Sequence, residues 1–286
     1  MGLCDRVRRE CREIAESSRL VHIELDRLGD VEPGPPPELD RERHYLEGSR
    51  EDVATYILTL DAINFGSGWF PTLNKRPSSS GYYTVAWALA DKFRATGPWS
   101  NADLRTLSQA AVAEALEQNS DHELMALYAQ ALNDLGAWLG DENALDVIGD
   151  SAEALAESLT AMPFFDDRGF WKRAQITPND LALAGVADFP DLDRLTIFAD
   201  NLVPHVLRVD GVLRYDRDLA RRIDEGDLLE PGGAEREIRA AAVHACELIA
   251  AELDVSPRIL DTWLWNRGQD PRYKAIPRHR TRTVFY

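Results

Sequence analysis

Residues 121–139 read DHELMALYAQALNDLGAWL, an amphipathic helical pattern that stops at Gly140, and this stretch sets the fold class. The same signal extends in both directions. Upstream, Ser100 and Asp103 cap a segment running to about Gln118, residues 82–95 (YYTVAWALADKFRA) form a helix stopped by Gly97-Pro98, and Ser49 with Asp52 opens a helix that reaches Asn64. Before these, residues 5–21 are helix-compatible, and the run Pro33-Gly34-Pro35-Pro36-Pro37 can carry neither a helix nor a ladder. Downstream, 144–162 is Ala/Leu-rich, Thr177-Pro178-Asn179-Asp180 reads as an N-cap with proline in the first turn, 234–252 is a long helix, and Ser256-Pro257 opens another through Trp265. Strand signals are few. Val209-Asp210-Gly211-Val212 fits a type I′ hairpin turn or, equally, a glycine stop for a helix from Thr196. The expectation is an all-α protein with at most one minor hairpin, residues 1–286 forming a single compact multi-helix domain or two lobes around a cleft.

Composition narrows the functional classes. The chain has 286 residues, enough for a full core, and its 44% hydrophobic and 28% charged content is ordinary for a globular protein. No apolar run is long enough for a membrane span, and the first thirty residues are dense in Arg and Glu without an apolar signal region, so a cytoplasmic protein is expected. With 49 acidic against 32 basic residues, the net charge of −17 disfavours extended DNA or RNA as a partner. A small ligand with one phosphate is still allowed, since cations in a cleft can override the global field over a few ångströms; residues 271–286 carry Arg272, Lys274, Arg278, Arg280 and Arg282 with no acid. Cys4, Cys11 and Cys246 form no CxxC pair and HExxH is missing, so no metal site is expected. Phosphate-loop, dinucleotide and serine-hydrolase motifs are likewise missing, and no cofactor is expected.

Three clusters carry possible chemistry. In Asp61-Ala62-Ile63-Asn64-Phe65-Gly66-Ser67-Gly68-Trp69, a helix breaks at glycines beside aromatics, which fits a ring-binding loop or a plain C-cap over core aromatics. Phe170-Trp171-Lys172-Arg173 places two cations about 100° apart on a helix, one for a cleft and one for solvent, or both solvated. Asp200 stands in the apolar stretch Thr196-Ile197-Phe198-Ala199-Asp200-Asn201-Leu202-Val203-Pro204, where a charge needs a salt bridge, a ligand or a reaction, and where Pro204 would kink the helix. In Leu260-Asp261-Thr262-Trp263-Leu264-Trp265-Asn266, Asp261 and Trp265 share a helix face: the indole can stack on a ring while the carboxylate takes its N–H groups, or both can be packing and helix polarity. His44 is a lone polar candidate ahead of the first cluster.

Together these clusters resemble the queuosine salvage protein family. The resemblance rests on Thr59-Leu60-Asp61-Ala62-Ile63-Asn64-Phe65, Ser80-Gly81-Tyr82, Phe170-Trp171-Lys172-Arg173-Ala174-Gln175-Ile176, Phe198-Ala199-Asp200, Glu237-Ile238-Arg239, Leu260-Asp261 with Leu264-Trp265, and Pro277-Arg278-His279-Arg280 with Phe285-Tyr286. It implies an all-helical fold similar to helix-hairpin-helix DNA glycosylases, and hydrolysis of queuosine 5′-monophosphate to free queuine and ribose 5-phosphate. The LPGVG-type hairpin of DNA glycosylases is missing, consistent with the acidic surface. For that reaction, Asp200 is expected to face the anomeric carbon as nucleophile, base or electrostatic stabiliser. Lys172 is expected at the phosphate, with Arg173 and the C-terminal arginines as secondary choices, and Asp261 at the guanine-like edge. Phe65, Phe198 and Trp265 would stack on the base, and His44, Asn64, Asn201 and Asn266 would line the pocket. A non-catalytic queuine- or nucleotide-binding protein would use the same stacking and carboxylate features without placing Asp200 beside the sugar.

Overall fold

A computed structural model describes residues 1–286. In chain order the α-helices are α1 (Leu3–Ser17), α2 (Arg50–Ala62), α3 (Gly81–Thr96), α4 (Asn101–Leu104), α5 (Gln109–Ala115), α6 (Glu123–Leu139), α7 (Ala144–Ile148), α8 (Ala152–Leu159), α9 (Lys172–Leu183), α10 (Val203–Val209), α11 (Arg217–Asp224), α12 (Ala234–Leu253), α13 (Pro257–Arg267) and α14 (Pro271–Lys274). Two three-residue strands, β1 (Val21–Ile23) and β2 (Leu213–Tyr215), pair antiparallel with Val21 opposite Tyr215. The protein is all-α with a minor sheet. No helix is long and apolar enough to cross a membrane.

The chain folds into two compact units, each assembled from separate stretches. The first comprises Met1–Pro37, Arg168–Lys172 and Asp193–Thr283; the second comprises Glu38–Asp167, Arg173–Leu192 and Val284–Tyr286. In the first unit α1 lies along α12, burying Leu3, Cys4, Val7 and Cys11, and α12 is rich in buried alanines (Ala240, Ala241, Ala242, Ala245) that permit close approach. Helices α10, α12 and α13 pack on one another and hold the loop that precedes α10. In the second unit α6 is the hub for α2, α4 and α5. Its Leu124, Met125, Tyr128, Leu132 and Leu135 are buried, and each such side chain contributes about 1.5–3 kcal/mol.

Local signals place many boundaries well. Ser49 forms a reciprocal capping box with Asp52 at α2, as does Ser100 with Asp103 at α4, and Gly97 ends α3 with φ +75°. Several expectations are corrected. Residues 144–162 break at Gly149 (φ +66°) into α7 and α8, and 100–118 breaks into α4 and α5, with Ser108 capping the second. Pro178 is inside α9 rather than at its start; the Thr177 hydroxyl donates to Arg173 O at 2.9 Å instead of capping. Residues 195–200 lie in no helix or strand, and Pro204 falls in the first turn of α10, where its missing N–H costs nothing. Gly211 (φ +80°) follows the end of α10, and β2 finds its partner in β1 near the N-terminus, so 209–212 is no hairpin turn.

Candidate active site

The irregular stretch 195–200 is buried through Ala199, and it ends at Asp200, which is half-exposed. Oδ1 of Asp200 accepts the backbone N–H groups of Leu202 (2.7 Å) and Val203 (3.1 Å) at the start of α10. The side chain is thereby fixed by backbone donors through one oxygen, and the loop geometry explains why an acid is tolerated at the end of an apolar run.

Long-range side chains hold the rest of this loop. Oδ1 of Asp261, on α13, accepts Phe198 N–H at 2.8 Å; Nε of Arg239, on α12, donates to Ala199 O at 2.9 Å; the amide of Asn201 donates to His279 O at 3.2 Å. Arg239 is buried against Glu235 (3.3 Å) with its guanidinium carbon 3.9 Å from the centre of the Phe170 ring. The sequence marks Arg239 only as part of the Glu237-Ile238-Arg239 piece of the family resemblance, with no role attached to it. The Asp261 carboxyl is pushed well above the usual carboxylate range, first by burial and then by the charge of Asp200, against the pull of Phe198 N–H and of Lys172. Asp261 thus holds its proton in the field of Asp200.

Lys172 belongs to this pair's surroundings: it is 5% exposed and opens α9 immediately after Trp171, a non-glycine residue with φ +45°. Left-handed backbone at such a residue costs about 1–3 kcal/mol and is held only where the surroundings demand it. Arg173 is different. Its guanidinium is buried in the second unit and donates to Asp61 O (3.2 Å), Ala62 O (2.6 Å), Val284 O (2.8 Å) and Phe164 O, which removes it from the phosphate candidates. It caps the carbonyl end of α2, and burial lowers its pKa to about 9. The two adjacent cations are therefore neither a solvated pair nor one-in, one-out; both are buried, in different units.

The first unit brings together Lys172, Phe198, Asp200, Asn201 and Asp261. Trp265 follows one turn after Asp261 on α13 and is half-buried, while Asn266 is exposed. The remaining expected site residues lie in the second unit. His44 is buried, with Nδ1 2.8 Å from Asp40 O, Nε2 2.9 Å from the Tyr82 hydroxyl, and a pKa lowered chiefly by burial. The Asn64 amide reaches Asp61 Oδ1 at 3.4 Å. Phe65 is 1% exposed, edge-to-face with Tyr128 (5.0 Å) and Phe164 (5.7 Å), under the Arg173 guanidinium at 4.7 Å.

The profile described as queuosine salvage protein matches residues 44–286. The chain belongs to the queuosine salvage protein family. Among relatives in the family, the queuosine 5′-phosphate N-glycosylase/hydrolase of Sphaerobacter thermophilus is 33% identical over 96% of this chain and 96% of its own length. The proteins of that name from Dictyostelium discoideum and Bos taurus are 38% and 34% identical over stretches covering 41% of this chain and 40% of theirs.

Proposed function

We propose that this chain is a hydrolase of N-glycosyl bonds that converts queuosine 5′-monophosphate and water to free queuine and ribose 5-phosphate in the cytoplasm. Family membership and the names of the relatives support the reaction; the observation that supports its site is the half-exposed Asp200 fixed beside the proton-holding Asp261. Breaking the bond sends its electron pair to the departing base and leaves positive charge on the sugar. Asp200 lies against that charge, either stabilising it or drawing a proton from the water whose oxygen bonds to the anomeric carbon. The proton lost by water ends on the base. A 7-deazaguanine has carbon in place of N7, so protonation there cannot activate the leaving group and more of the barrier falls to Asp200. Asp261, Trp265 and Phe198 address the base, and Lys172 supplies positive charge beside the two carboxyls. Long nucleic acid is not a substrate.

The test is release of queuine from the monophosphate, followed chromatographically. Asp200→Asn keeps the oxygen that accepts from Leu202 and Val203, so it is expected to fold normally yet lose about 10³-fold or more in kcat. Wild-type turnover in a folded Asp200→Asn protein removes Asp200 from its role. A sequestering protein would instead bind queuine tightly with no turnover.

A further inference from the structure

Arg239 is 2% exposed, and its guanidinium meets three groups of the first unit at once. Nε donates to Ala199 O, Nη1 faces Glu235 Oε1, and the group lies over the buried ring of Phe170. Glu235 is anchored in turn, since its Oε2 accepts Gly232 N–H at 3.2 Å just ahead of α12. Arg236, on the same helix, also grips the segment of Phe170: its guanidinium carbon is 5.2 Å from the ring centre, and its Nη1 donates to Arg168 O at 2.9 Å. One helix therefore holds two separate segments, residues 168–172 and the loop that ends at Asp200.

These contacts bear on the carboxylate directly. Ala199 O belongs to the same rigid peptide plane as Asp200 N–H, so holding it fixes the plane from which the Asp200 side chain emerges. From the other end, Oδ1 of Asp200 is held by Leu202 and Val203 N–H. Phe170 stands two residues ahead of Lys172, joined to it through the left-handed backbone of Trp171, so the guanidinium that seats Asp200 also seats the segment that delivers Lys172. A planar group donating in two fixed directions while its face rests on a ring is a task that a lysine ammonium cannot repeat. A buried ion pair contributes little stability over apolar residues of like volume, so what Glu235 and Arg239 add here is direction.

We propose that Arg239 is a positioning residue for the hydrolysis: it holds the Asp200 carboxylate in register with Lys172 and changes the rate only through Asp200. This rests on the N-glycosylase reading. The test is a double-mutant cycle on queuosine 5′-monophosphate, joined to amide exchange. Arg239→Met is expected to lower kcat by about 100-fold with KM within about 3-fold, and to lower kcat by less than about 3-fold when Asp200→Asn is already present, because no carboxylate is left to place. Arg239→Lys, which keeps the charge without the fork, is expected to stay within about 3-fold of Arg239→Met. If Arg239→Met has a depressed Tm, Glu235→Gln is added so that no acid is buried unpaired, and that pair of changes carries the same cycle. Losses that multiply in the cycle would show a role in folding alone; a rise in KM matching the loss would show direct substrate binding, and full kcat in Arg239→Lys would show that charge suffices. Each of these overturns the proposal. Exchange reads placement without turnover: Leu202 and Val203 N–H, which Asp200 holds, are expected to exchange about 10-fold faster in Arg239→Met while α1 is unchanged. If the wild type releases no queuine, the N-glycosylase reading fails by itself; unchanged exchange at Leu202 and Val203 then overturns the hold on Asp200 separately, and faster exchange upholds it.

Discussion

Asp261 ties backbone geometry to proton affinity, because the oxygen that holds Phe198 N–H belongs to a carboxyl kept from ionising by burial and by Asp200. A carboxyl with a raised native pKa stabilises the fold fully below its ordinary pKa of about 4 and loses that contribution as pH climbs through the native value. Over that window the unfolded chain has released the proton and the native chain still holds it, so stability falls by up to about 1.4 kcal/mol per pH unit. Asp261→Asn keeps an oxygen for Phe198 N–H and has nothing to titrate. Its unfolding free energy is expected to fall less steeply than that of the wild type as pH rises above about 4, as followed by urea melts; parallel curves would show that Asp261 is ionised in the native state.

Between elements, close approach decides what a helix tolerates. Gly136 lies inside α6 where α4 packs, and a Cβ there would meet Arg105 N at 2.7 Å and Leu104 Cβ at 2.8 Å. Alanine improves helix propensity by about 1 kcal/mol over glycine, but displacing backbone in a packed contact costs about 1–3 kcal/mol. Gly136→Ala is therefore expected to lower stability, and a higher Tm would mean that α4 yields without strain. The same distinction separates what was legible in the sequence from what was not. Caps such as Ser49 with Asp52 are complete within one turn and can be read directly. Pro178, between Thr177 and Asn179-Asp180, reads as a helix start and Pro204, in an apolar run, as a kink, yet the first is inside α9 and the second opens α10, because packing overrode local propensity at both. Asp200 and Asp261 could be picked out as charges in apolar stretches. The grips on the loop between them could not: Arg239, Asp261 and Asn201 act on backbone 40, 63 and 78 residues away, and backbone groups carry no sequence signature.

At the scale of the whole molecule, the field and the binding site oppose each other. A net charge of −17 repels an approaching phosphate monoester, whereas the cations of a binding site attract one only over the last few ångströms. Salt separates these ranges, because the screening length shrinks from about 30 Å at about 0.01 M to about 8 Å at about 0.15 M ionic strength. Distant acids are then largely silenced while a half-buried contact is not. Raising salt across that interval is accordingly expected to increase kcat/KM for the monophosphate by about 2- to 3-fold and not to increase it for the nucleoside, whose ammonium the acidic protein attracts rather than repels. Duplex DNA, a long polyanion facing a net charge of −17, is expected to show no binding at either salt. A monophosphate rate that falls with salt, measured under kcat/KM conditions, would mean that local cations outweigh forty-nine acids at long range and that the global charge does not govern substrate approach.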